Sequence, residues 1–177
     1  MAQDMYLSIT DVKGESTEEG FVDFINVLDW DWGVKQHPTL VKDKGLTAGK
    51  AEFSNFSVIY YIDNSVPTVL DFCASGQSLK KVEFVCRKNV GKSGDKPKYV
   101  NYWTLVFEDA MITNVDFLEH IDKGVLNSGD TYKVKVDFAF TKYAIKYIPV
   151  NKENITQPAN VKTGNLCNSQ DVTSNSI

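Results

Sequence analysis

The sequence predicts an all-β protein with one short helix, its strands arranged as two packed sheets in a barrel-like domain. Three observations lead there. Over Thr131–Thr141, Tyr132, Val134, Val136, Phe138 and Phe140 alternate with Lys133, Lys135, Asp137, Ala139 and Thr141, the period-two pattern of a half-buried strand. Similar short apolar runs recur along the chain, separated by charged or Gly-, Ser- and Asp-rich stretches. One segment alone, between Asn64 and Ser75, spaces its apolar residues for a helix.

Taken in order, Met5–Ile9 is short and alternating, and the charged stretch Asp11–Gly20 ends it. Phe21–Trp32 reads as a longer strand whose apolar set (Phe21, Ile25, Val27, Trp30, Trp32) changes phase midway, which requires a bulge or bend. Gly33–Gly49 has little periodicity and contains His37-Pro38, so it reads as a long loop, a length that is usually either functional or a wrongly assigned element. Ala51–Tyr61 is a third strand with Phe53, Phe56, Val58 and Tyr60 as core candidates.

The helix has Asn64 or Ser65 to cap it, Pro67 in its first turn, where a missing N–H costs nothing, and Gly76 to end it. Its expected stripe is Val66, Val69, Leu70 and Cys73, flanked by Phe72. Strands then follow at Lys81–Lys88, Tyr99–Phe107, Met111–Leu118, Thr131–Thr141 and around Tyr143, Ile145 and Tyr147, with a turn over Gly91–Pro97. Tyr99–Phe107 is apolar on both faces, so its fold or a neighbouring subunit must cover both sides. The helix is one candidate cover.

We place a domain over 1–149 and a polar tail over 150–177. The tail has six asparagines and scattered apolar residues, predicting irregular backbone with one short strand near Asp171–Thr173.

Composition narrows the function. Net charge is −4 and Arg87 is the only arginine, which argues against a nucleic-acid partner, since phosphate and base recognition draw on the guanidinium fork. The N-terminus lacks a basic start and an apolar core, so no cleaved secretory signal is expected. No run is long and apolar enough to predict membrane insertion. Cys73, Cys86 and Cys167 are too far apart for a zinc or disulfide pattern.

Neither His37 nor His120 sits in a ligand-spaced motif. Gly91-Lys92-Ser93 has Cys86 where a phosphate loop needs glycine. Asp109, Asp116 and Glu119 read as solvated strand ends. No catalytic residue, metal ligand or cofactor is expected. The residues alone leave open a subunit of an assembly or a monomeric β-sandwich ligand-binding module.

The segments also carry a resemblance. Asp4-Met5-Tyr6-Leu7-Ser8-Ile9-Thr10-Asp11-Val12-Lys13-Gly14-Glu15-Ser16 is similar to the opening of the haemolysin-coregulated (Hcp) family of bacterial type VI secretion. Val27-Leu28-Asp29-Trp30-Asp31-Trp32-Gly33 resembles that family's second motif, and Gly49-Lys50-Ala51 with Phe53 and Phe56 its third strand. Asp63, Ser65, Pro67, Leu70 and Ala74-Ser75-Gly76 fall on its helix; Arg87-Lys88, Phe138, Phe140, Tyr147 and Pro149 follow in order. One departure is Asn165 after Gly164, where the family often has an aromatic residue.

The resemblance implies a tube protein, of a fold similar to phage tail tubes. Six copies would close into a ring, and rings would stack inside a sheath and be expelled with a spike. Effector proteins would ride in the lumen. It implies assembly in the cytoplasm and then secretion. It places Asp31 toward the lumen. The long loop would contact a neighbouring subunit or ring through Gln36, His37, Thr39, Leu40, Lys42, Asp43, Lys44 and Leu46.

Overall fold

A computed structural model describes residues 3–42, 45–93, 96–118, 132–151 and 155–166. Asp43, Lys44, Glu119, His120, Cys167 and the strand expected near Asp171–Thr173 lie outside the described residues. The elements are β1 (Gln3–Ile9), β2 (Ile25–Asp31), β3 (Val34–Gln36), β4 (Thr39–Val41), β5 (Gly45–Thr47), β6 (Ala51–Phe53), β7 (Phe56–Tyr61), α1 (Val66–Ser75), β8 (Ser78–Ser93), β9 (Lys96–Leu118), β10 (Lys133–Ala139), β11 (Lys142–Tyr147) and β12 (Asn160–Asn165).

Eight strands form one antiparallel sheet in the order β10-β7-β2-β1-β8-β9-β11-β12, and a further β10–β9 pairing closes six of them on themselves. The closed sheet packs as two layers. Phe56 on β7 and Phe84 on β8 are separated by two strands in the sheet, yet their ring centroids are 5.5 Å apart across the core. Phe107 on β9 comes within 4.7 Å of Phe56 from another side. The alternating β10 delivers Val134, Val136 and Phe138 to this core fully buried. Burying such side chains contributes about 1.5–3 kcal/mol each.

The bulge expected in the second strand is present as a register shift between Val27 and Asp29. It lets Ile25 and Val27 before it, and Trp30 after it, all pack in the core. The strand itself begins later than expected. Phe21–Phe24 is a turn, and Phe21 stacks on Tyr6 at 4.3 Å on the other side of β1. Ala51–Tyr61 is two strands, β6 and β7, parted at Ser54–Asn55 because Ser54 turns back to Gly33: its N–H donates to the Gly33 carbonyl at 2.9 Å.

Conversely, the two runs Tyr99–Phe107 and Met111–Leu118 are one strand, β9. The chain bends between them at Asp109, whose φ is 48°. Along β9, Leu105 and Phe107 enter the core. A register shift between Cys86 and Arg87 puts Trp103 opposite Cys86 and Asn101 opposite Arg87. Tyr102 and Trp103 therefore both lean on the core, which is why this strand is apolar on both faces. α1 packs on β9 as well.

The helix starts at Val66 and ends at Gly76, whose φ of 66° is the left-handed stop. Val66 and Val69 are buried and Phe72 and Cys73 partly so, but Leu70 is exposed: the buried stripe runs through Phe72 instead. Ser65 occupies the N-cap position without capping. Its hydroxyl bonds to Asp63 and, at 3.3 Å, to the buried phenol of Tyr60. Burial pushes the Tyr60 pKa up to about 12, against the hydrogen bond from Ser65.

Burial also raises the Asp63 carboxyl, opposed by the Ser65 hydrogen bonds and aided by Glu15. The folded chain thus holds the Asp63 proton more tightly than the unfolded chain does. This group's contribution to stability therefore falls as pH rises through the window just above the ordinary aspartate value of about 4. Asp63→Asn keeps an acceptor for Ser65. It should gain melting temperature relative to the parent as pH rises through that window, with the two curves parallel above it. Calorimetry across pH 3–7 reads this.

The tail contributes a strand that the sequence pattern did not signal. β12 pairs along the whole of β11, from Lys142 opposite Asn165 to Tyr147 opposite Asn160. Its side chains are Asn, Val, Lys, Thr, Gly and Asn, so main-chain bonds rather than apolar alternation define it. A Cβ at Gly164 would sit 2.4 Å from the Tyr143 ring, so that ring packs directly on the bare backbone of β12.

Candidate assembly surfaces

Trp30 and Trp32 both point inward. Trp30 lies 5.2 Å from Phe84, and Trp32 meets Phe107 edge-on at 5.2 Å and Tyr143 at 5.4 Å. Asp31 between them is therefore on the outer face of β2, exposed, and among the described residues its carboxylate has no partner.

Strand register extends this face. Directly opposed residues share a side of the sheet, so Asp31, Ser57, Asp137 and Asn114 form one cross-strand row. Asp29, Ile59, Lys135 and Asp116 form the next, and Tyr61, Lys133 and Leu118 a third. The first two rows are bonded together. Ser57 Oγ donates to Asp137, Asn114 Nδ2 donates to Asp137 at 3.1 Å and to Asp116 at 2.6 Å, and Lys135 Nζ lies 3.5 Å from Asp137. Four carboxylates on this face meet two ammonium groups.

Among the described residues, two sides of the same four-strand stretch pair with no further strand. β1 bonds to β2 only through Tyr6–Asn26 and Leu7–Ile25, leaving Leu28–Asp31 unpaired on that side among the described residues. On β9, residues 112–118 pair with β10 but, beyond Met111, not with β8.

The long loop expected over Gly33–Gly49 is an antiparallel arm instead. β3 pairs β6 from Val34–Phe53 to Gln36–Ala51, and β4 pairs β5 through Thr39–Thr47 and Leu40–Leu46. The sequence pattern missed it because no face of the arm is buried, so nothing imposes alternation. Gln36 and His37 turn out to hold its root. Gln36 Nε2 donates to the Gly49 carbonyl at 2.9 Å, and His37 Nε2 lies 3.1 Å from Glu52 Oε2.

Leu40 and Leu46 face each other across the tip, 76% and 72% exposed, beside exposed Lys42. A Cβ at Gly49 would lie 2.1 Å from the His37 carbonyl oxygen. Gly49→Ala should therefore spring the root apart. Trypsin should then cut at Lys42 and Lys50 at least several-fold faster, while the melting temperature of the domain stays within about 2 °C, as expected for a change away from the core.

The family model described as type VI secretion system effector, Hcp, matches residues 6–147. This chain belongs to the Hcp family. It is 28% identical over 164 residues to the Hcp1 protein of Pseudomonas aeruginosa, covering 93% of this chain and 94% of that one. Among solved structures, a type six secretion system protein superposes with a TM-score of 0.78 at 22% identity, over 94% of this chain and 97% of the other. A type VI secretion system effector from Yersinia pestis does so with 0.68 at 27% identity, over 92% and 99%. As an Hcp protein the chain is a secreted, β-rich structural component of type VI secretion. No helix among the described residues is long and apolar enough to cross a membrane.

The Hcp opening motif is anchored by the lone arginine. Arg87, 5% exposed, pairs with Asp4 and Glu18 at 3.1 Å each, and its guanidinium lies 4.2 Å from the Tyr99 ring centroid and 5.0 Å from that of Tyr6. In the sequence Arg87 stands out as the only arginine and as part of the Arg87-Lys88 match, neither of which signals this role. A cleft of about 600 Å³ lies over it, lined by Glu18, Phe21, Glu83 and Asn101 among others. Because Arg87 is committed to two carboxylates, it offers no free cation to an anionic ligand.

Proposed function

We propose that this Hcp chain is the subunit of a secretion tube, in which six copies close into a ring and rings stack. The observation that carries this reading is the pair of open strand edges on one polar face. A ring needs a head-to-tail contact between two different surfaces of the same subunit. The sides of β2 at Leu28–Asp31 and of β9 at 112–118 that pair with no further strand among the described residues are two such surfaces, at opposite borders of the Asp31 face. Joined between neighbours, they would continue the sheet around an axis.

The Asp31 rows would then line the lumen, and their excess of carboxylates favours effector proteins with basic patches. The arm, with Leu40, Leu46 and Lys42, would reach a neighbouring subunit or ring, with sheath and spike proteins as further partners outside and at the end.

Native mass spectrometry tests the ring directly. The expected species is six times the 19.9 kDa subunit. A population of single subunits at high concentration would instead favour a monomeric ligand-binding module.

A further inference from the structure

The two layers turn different surfaces outward. Phe84 on β8 faces Phe56 across the core, so its chain neighbours Glu83 and Val85 point the other way. There Val85, Tyr6 and Phe21 form a buried cluster apart from the main core, with Phe24 packed against it. The cleft over Arg87 opens on this side, away from the Asp31 rows on the outer side of β7. At about 600 Å³ it has the volume of a ligand pocket.

The lining narrows the occupant. Phe21, Phe24, Pro97 and Tyr99 supply apolar wall, and Tyr99 stays 41% exposed although Arg87 lies against its ring. Glu18, Glu19 and Glu83 supply carboxylates. With Asp4 beneath they make four, against two cations: Arg87 on Asp4 and Glu18, and Lys81 on Glu83 at 2.7 Å. Glu19 is exposed and, among the described residues, has no partner. An anion finds no free cation here, and a wholly apolar group would strip water from an unpaired carboxylate.

We infer that the cleft receives an arginine side chain from a segment of another protein, its stem on Phe24 and Tyr99 and its guanidinium at Glu19 and Glu83. This surface already holds one guanidinium in that manner. Arg87 lies 4.2 Å from the Tyr99 ring centroid, 5.0 Å from that of Tyr6 and 5.5 Å from that of Phe21, with two carboxylates at 3.1 Å. The cleft repeats that combination of rings and carboxylates one layer farther out. Arginine fits better than lysine because its flat head stacks on a ring while pairing with a carboxylate. Arg87 is the only arginine in the chain, so a second copy has no free one to offer. The cleft is built within one subunit and does not depend on the ring.

Fluorescence polarisation with the full chain tests this, using a labelled, terminally capped pentapeptide that carries one arginine between two leucines. Replacing that arginine by glutamine should weaken binding about tenfold or more, and replacing it by lysine about threefold. Glu19→Gln combined with Glu83→Gln should cost the arginine peptide about tenfold, while Asp31→Asn, on the opposite side, leaves its affinity unchanged. Circular dichroism of each variant should match the parent. No binding at millimolar protein, equal binding of the glutamine or lysine peptide, or a loss with Asp31→Asn and not with the double variant would each overturn the inference. Native mass spectrometry of the same sample separates the two readings: the expected binding in a sample of single subunits upholds the cleft and defeats the ring.

Discussion

Phe56→Ala is expected to destabilise the domain by about 3–5 kcal/mol, the cost of emptying a large, fully enclosed aromatic site. Phe56 has no exposed surface, and four rings close on it: Trp30 at 6.3 Å, Phe84 at 5.5 Å, Phe107 at 4.7 Å and Phe138 at 6.1 Å. Those partners come from β2, β8, β9 and β10, so the substitution loosens both layers at once. In a chain of this size the melting temperature should fall by roughly 6–20 °C. Urea unfolding of the variant decides it. A loss below about 1 kcal/mol would mean that the two layers do not meet at this ring.

Leu40→Asp combined with Leu46→Asp should do the reverse, leaving the fold intact and weakening the contact that the arm makes with another copy. Neither side chain contributes to the core. Circular dichroism and the unfolding midpoint should therefore match the parent within about 0.5 kcal/mol. In an assembled contact each leucine gains about 1.5–3 kcal/mol on burial. Losing both, with carboxylates in their place, should weaken association by two or more orders of magnitude. Sedimentation velocity over a concentration series reads the difference. Unchanged large species would remove the arm from the contact.

The contrast between these two experiments mirrors what could be read from the residues. Wherever one face of a strand is buried, its identity shows as alternation: Val134, Val136 and Phe138 on β10, or Phe56, Val58 and Tyr60 on β7. The helix showed through Val66, Val69 and the stop at Gly76. The arm and β12 left no such trace because they are held by main-chain bonds with polar or solvated side chains on both faces. Asp31 was singled out by the resemblance of Val27–Gly33 to the Hcp motif, in which two tryptophans flank it.

The rows that Asp31 belongs to were not legible, since they depend on a bulge at Val27–Asp29 and on strands brought together from Ser57, Asn114 and Asp137.

β9 has a mechanical meaning beyond its place in the core. Its 23 residues run toward the far end of the subunit, laced along the way to β8, β11 and β10. A thrust delivered lengthwise would meet these ladders in shear, where many bonds must give way together and not one after another. A bending load on the slender arm would meet only two short ladders of three residue pairs each. In the tube proposed above, each copy would be stiff along its strands and compliant at its arm, so under strain neighbours should part before any copy unravels.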